Sequence, residues 1–198
     1  MDEAGRTLIL PSVGFDARRL ARDLALMVGF SLLTAASAQL VVRLPFTPVP
    51  ITGQTFGVLL TGALLGSWRG FGAMLIYLAE GLAGLPVFAP GALGHAGLGP
   101  FLGPTGGYLV AFPLAAMVVG FLAERGWDRT PVRVLAAMAA GSGVIFALGA
   151  GWLSHFVGGA QNAILHGIVP FLPGDALKAA LAAALLPLGW KLLERGDR

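Results

Sequence analysis

Six apolar stretches joined by short connections, with the basic residues gathered in alternate connections, leave this chain few ways to fold in water. The stretches run from about Leu20 to Leu44, Thr52 to Ser67, Gly70 to Leu85, Gly103 to Glu124, Val134 to Phe156 and Pro173 to Leu193. With a cytoplasmic amino terminus, Arg6, Arg18, Arg19, Arg22, Arg69, Arg125, Arg129, Arg133, Lys191, Arg195 and Arg198 all fall on the cytoplasmic side. Lys and Arg collect on that side of membrane proteins, and an even number of spans satisfies the pattern. The expectation is an all-α bundle of six transmembrane helices with both termini cytoplasmic, placed in the plasma membrane. A polar leader would cover residues 1–17, and a single membrane domain 18–198.

Composition points the same way. The chain of 198 residues is 56% hydrophobic and 12% charged, whereas soluble domains carry about 25% charged residues. The 30 glycines are about twice the usual share, and small residues let helices approach closely in lipid. The net charge of +3 comes from loop arginines rather than a basic patch, so nucleic-acid binding is not expected. With no cysteine, disulfides and thiol chemistry are excluded. Arg18, Arg19 and Arg22 before an apolar stretch ending in Ala36-Ser37-Ala38 have the shape of a cleavable signal. The uncharged run over residues 24–42 is long enough to span a bilayer, however, and argues for retention as a helix.

Polar residues inside such segments are costly and single themselves out. Asp175 and Lys178 lie three apart and share a helix face. Pro173 suits the start of a helix, so Asp175 has a ready role near a positive helix end, but Lys178 does not. The pair is therefore either a ligand site or a cap beside an outward-reaching lysine. Glu80 is a second intramembrane acid that could reach water or Arg43. Gln54 and Thr52 sit at the outer end of the second span and could serve a cavity or be satisfied by backbone carbonyls. The Gly- and Pro-rich connection 86–104 has the length of a functional loop, often a lid. A short interfacial helix is expected around Gln161 to Ile168. Ala21, Ala25 and Gly29 place a small-residue face on the first span, suited to a partner helix or to packing inside the bundle. His95, His155 and His166 lack metal-ligand spacing, no Walker lysine motif is present, and no serine sits in a nucleophile elbow. No metal, cofactor or catalytic residue is expected.

Four segments together carry a family resemblance. They are Pro45-Phe46-Thr47-Pro48-Val49-Pro50-Ile51-Thr52-Gly53-Gln54-Thr55, Gly84-Leu85-Pro86-Val87-Phe88-Ala89, Gly103-Pro104-Thr105-Gly106-Gly107-Tyr108, and Phe171-Leu172-Pro173-Gly174-Asp175 with Lys178. In this order and spacing the chain resembles the BioY family, the biotin-specific substrate-capture components of energy-coupling factor transporters. The resemblance implies six helices, capture of biotin from outside, a membrane coupling subunit and two cytoplasmic ATPases as partners. It implies biotin contacts for Asp175 and Lys178, and with them Gln54 and Tyr108. It also implies docking of the coupling subunit on the face of Ala21, Ala25 and Gly29. The loop from Ala89 to Gly97 departs from the family pattern, which often has a polar or basic residue among its glycines.

The chemistry suits that ligand. Biotin has ureido donors, a ureido carbonyl, an apolar ring and a carboxylate tail, which Asp175, Lys178 and aromatic walls could meet. Two other classes remain: a membrane enzyme using Asp175, Lys178 and Glu80 as acid/base groups, and a structural assembly subunit with a closed salt bridge and no cavity.

Overall fold

The computed structural model describes residues 17–91 and 93–196. Residues 1–16 of the expected leader, together with Ala92, lie outside the described residues. Helix α1 (Ala17–Ala38) leads into a two-stranded hairpin, β1 (Val41–Val42) and β2 (Ile51–Thr52). Then come α2 (Gln54–Leu65), α3 (Ser67–Leu82), α4 (Gly99–Leu102), α5 (Gly106–Ala123), α6 (Pro131–Leu153), α7 (Ala160–Gly167) and α8 (Leu172–Gly196). Four helical segments are long and apolar enough to cross a membrane: α1, α5, α6 and the continuous stretch from Ala160 to Leu192. At 12 residues α2 is apolar but shorter, covering only about 18 Å at 1.5 Å per residue.

The first span is shorter than expected. Helix ends at Ala38, and Val41 and Val42 pair antiparallel with Thr52 and Ile51. The apolar run through Leu40-Val41-Val42 reads as more helix, but β-branched residues followed by Pro45, Pro48 and Pro50 favour extended chain. The short helix expected near Gln161 is present as α7.

Helix α5 is the centre of the bundle, packing against α6, α2 and α3. Its buried face includes Gly106, Gly107, Ala111, Ala115, Ala116 and Gly120, so neighbouring backbones come close. A Cβ on Gly120 would fall against the backbone of Gly66 and Ser67, and one on Gly62 against Ala116. Close approach of this kind replaces the hydrophobic effect as the source of helix association in lipid. Gly66, at φ 84°, forms the tight α2–α3 turn in a region that L side chains rarely adopt. The Glu124 carboxylate accepts from the Ser67 backbone N–H at 2.8 Å and from its hydroxyl at 2.9 Å, capping α3.

At the same end of the bundle, Arg69 pairs with Asp23 at 3.0 Å, tying α3 to α1. The Trp190 indole N–H donates to Asp128 at 2.7 Å, tying α8 to the α5–α6 connection, with the Arg129 guanidinium 4.7 Å from the Trp190 ring centre. At the other end lie the β hairpin, the irregular segment before α4, and α7.

Candidate functional site

At that other end, α2, α5, α6 and α8 diverge around a cavity enclosing about 570 Å³, counting its mouth. Its walls are mostly apolar and aromatic. Phe112 of α5 and Phe146 of α6 line it, as does Phe171 from the turn before α8. The Tyr108 ring stacks on Phe171 with centroids 6.3 Å apart, and Phe171 meets Phe146 edge-on at the same distance.

The segment between α3 and α4 supplies the remaining wall. Phe88, 1% exposed, packs edge-on against Tyr77 and Phe101, both at 5.4 Å. The Phe88 N–H donates to the His95 carbonyl at 3.1 Å, and the Gly97 N–H to the Gly81 carbonyl at 2.7 Å, so the segment folds back onto the end of α3. Phe88, Ala89 and Pro100 face the cavity.

The polar groups gather where α2 meets α8. Lys178 Nζ donates to Thr55 Oγ1 at 2.6 Å, and Thr55 Oγ1 donates to Asp175 Oδ1 at 3.3 Å. Lys178 and Asp175 also form a direct ion pair at 3.4 Å, with side chains 19% and 12% exposed. Asp175 Oδ2 is buried without a hydrogen-bond partner. Lys178, Thr55 and Gln54 line the cavity, and Asp175 stands beside them, joined through Thr55 and Lys178. In a site of low dielectric such a pair is held tightly, and an unpartnered oxygen is costly.

Gln54 is satisfied by side chains rather than by backbone carbonyls. Its Nε2 donates to the Tyr77 hydroxyl at 2.6 Å, its Oε1 accepts from Thr52 at 3.1 Å, and Tyr77 in turn donates to the Val87 carbonyl at 3.0 Å. Tyr108 faces the cavity through its ring, while its hydroxyl donates to the Gly167 carbonyl at 2.8 Å. The structure thus brings Gln54, Tyr108, Asp175 and Lys178 to one cavity or its edge. It leaves Glu80 elsewhere: Glu80 accepts from Ser31 of α1 at 2.9 Å, not from Arg43, which donates instead to the Pro90 carbonyl at 3.0 Å. Among the described residues, no group of three His, Asp or Glu side chains could hold a metal ion.

Sequence reasoning missed the role of Thr55, and it expected aromatic walls without naming the phenylalanines that form them. Thr55 directly follows Gln54, and its signal was a hydroxyl at the start of an apolar helix. Phe171 belongs to the segment that leads into Asp175. For Tyr77, 23 residues from its partner Gln54, no local signal existed.

Comparison with known proteins adds to this geometry. The BioY family profile matches residues 8–195. The chain belongs to the BioY family. A relative from Pyrococcus horikoshii, named probable biotin transporter BioY, is 41% identical over 167 residues, covering 83% of this chain and 94% of the relative. The biotin transporter BioY of Rhizobium etli is 38% identical over 183 residues, covering 87% and 96%. Among solved structures, the S-component for biotin from an ECF-type ABC transporter superposes with a TM-score of 0.76 at 26% identity, covering 90% of this chain and 95% of that one. This BioY chain is a multi-pass membrane protein with the S-component fold.

Proposed function

We propose that this BioY protein captures biotin from the extracellular side as the substrate-binding subunit of an energy-coupling factor transporter. The observation that carries the reading is the make-up of the cavity: an aromatic pocket with the Lys178–Thr55–Asp175 cluster at one end. The apolar ring of biotin suits the walls of Phe112, Phe146, Phe171 and Tyr108. Asp175 Oδ2, already buried and unpartnered, is an acceptor for a ureido N–H, and Lys178 is a donor for a carbonyl oxygen. Gln54 and Tyr108 shape the pocket, the amide through its bond to Tyr77 and the tyrosine through its ring.

The family is one of transport subunits, and the chain is not an enzyme. The distances agree, since Glu80 turns to Ser31 on α1 instead of converging with Asp175 and Lys178. A purely structural subunit with no cavity does not fit the pocket described above.

Six spans, namely α1, α2, α3, α5, α6 and α8, with both termini cytoplasmic, remain the topology we favour. The reading is supported by the Arg69–Asp23 and Trp190–Asp128 contacts, which gather the arginine-rich segments at one end of the bundle. Cysteines introduced at His95 and Arg133 should then label from opposite sides of the membrane, and labelling from one side would refute this topology. The coupling subunit, with its two ATPases, would dock on α1: Ala21 and Ala25 are exposed, and a Cβ on Gly29 would meet nothing within 4 Å.

The test is titration of the purified protein with biotin, desthiobiotin and lipoate. Saturable binding that favours biotin and desthiobiotin over lipoate is expected, because only they carry the ureido group. Equal binding of lipoate would remove the role assigned to the charged cluster.

A further inference from the structure

Arg43 is the one arginine that departs from the cytoplasmic grouping of basic residues. It follows β1 at the cavity end of the bundle, and the same hairpin contributes Val49 and Pro50 to the cavity wall. Its Nη2 donates to the Pro90 carbonyl at 3.0 Å, one residue beyond Ala89, which also lines the cavity. The guanidinium therefore ties the hairpin to the segment carrying Phe88 and Ala89, adjoining the cavity lining without being part of it. A guanidinium has five N–H donors. This one is exposed and has no carboxylate partner among the described residues.

The other cation at this end is already matched. Lys178 pairs with Asp175 and donates to Thr55, so the charge of the inner cluster is balanced before any ligand arrives. A ligand bearing its own carboxylate needs a further cation to offset it. The wall segment, residues 86–104, contains no Lys or Arg. Arg43, on a neighbouring element and bonded one residue beyond Ala89 of the lining, is the arginine nearest in the fold to supply that charge.

We propose that Arg43 anchors the carboxylate tail of the captured ligand at the rim, using the guanidinium that also holds the Pro90 carbonyl. This assignment rests on the biotin reading above. The ureido ring lies inward toward Lys178 and Asp175, the thiophane ring lies between the aromatic walls, and the tail ends outward at Arg43. The guanidinium fork suits a carboxylate bidentately, which an ammonium at the same place would not.

The test compares biotin with biotinamide, which keeps the rings and chain but lacks the negative charge, on the purified parent and on Arg43→Gln and Arg43→Lys. The parent should prefer biotin. Arg43→Gln should weaken biotin binding about tenfold, the lower range for a charged hydrogen bond at a partly screened site. It should leave biotinamide binding unchanged, so the preference disappears. Arg43→Lys should fall between, retaining charge without the fork. Equal weakening of both compounds by Arg43→Gln would reduce the guanidinium to a strut for Pro90 and overturn the proposal, as would no effect on either. A parent that binds both compounds equally would overturn the role of Arg43 and leave the biotin reading standing. A parent that binds neither would overturn both.

Discussion

Helices α1 and α5 are both apolar enough to cross a membrane, yet the bundle treats them in opposite ways. In the most apolar window of α5, 67% of the residues are buried; in that of α1, 17% are. Both carry small residues at four-residue spacing. On α5, Ala116 and Gly120 meet the α2 and α3 backbones, whereas Ala21, Ala25 and Gly29 of α1 face outward. Helix α1 is held through its other face, where Leu26, Met27, Phe30 and Ala35 pack on the core and Asp23 and Ser31 bond Arg69 and Glu80. In a bilayer, apolarity does not distinguish a helix in the core from one at the edge, because lipid accepts either. The difference lies in which small residues have a backbone opposite them.

The largest effect should come from filling the two kinds of face. Gly120→Leu drives a side chain into the backbone of Gly66 and Ser67 and should cost about 3 kcal/mol or abolish folding. Gly29→Leu, with open space before it, should leave stability in detergent unchanged. Denaturant titration of the two variants measures this directly, and comparable losses would mean that α1 is not the open helix described. Next in size is a functional effect without a stability effect. Ala25→Leu should abolish assembly with the coupling module and ATP-dependent uptake while the isolated subunit still binds biotin. Reduced binding alongside lost assembly would make that face internal packing.

A smaller effect sharpens the contrast at the end of the bundle away from the cavity. Asp23 of α1 is partly exposed in its ion pair with Arg69, whereas Asp128, just beyond α5, is 2% exposed and accepts from the Trp190 indole. Burial pushes its carboxyl above the usual carboxylate range, against the opposing effects of Trp190 and Arg129. The unfolded chain then binds fewer protons than the folded one, so stability should fall as pH rises from about 4, the ordinary aspartate value, through the folded pKa. Asp128→Asn should flatten that fall without moving biotin affinity, as followed by unfolding midpoints across pH. A fall as steep in the variant as in the parent would remove Asp128 as its cause.

Much of this was legible in the sequence, for physical reasons. Long apolar segments flanked by arginines gave α5, α6 and α8, and Pro131 and the Pro173-Gly174-Asp175 run mark where two of them begin. The pairing of Asp175 with Lys178 follows from helical spacing alone. The end of α1 was misjudged because Leu40-Val41-Val42 is as apolar as the helix before it, and only the strand pairing with Ile51-Thr52 separates the two. Neither the Ser31–Glu80 bond, spanning 49 residues, nor Arg43 to Pro90, spanning 47, leaves any local pattern. Thr55 was passed over for the same reason: its importance comes from α8, 123 residues away at Lys178.

The central claim about the molecule is that the polar cluster of Lys178, Thr55 and Asp175 holds the ligand. The direct measurement is calorimetric titration of biotin into the parent, Asp175→Asn and Lys178→Ala, each shown to be folded by its unfolding midpoint. Removing one member of a buried, hydrogen-bonded charged pair leaves the other unsatisfied, so each variant should lose about 2–5 kcal/mol of binding. Some stability should be lost as well, because the partner left behind is buried, but the pair sits in the first turns of α8 and each variant should still fold. Variants that bind biotin as tightly as the parent would show that Lys178, Thr55 and Asp175 only brace α8 against α2, and that the ligand is held elsewhere.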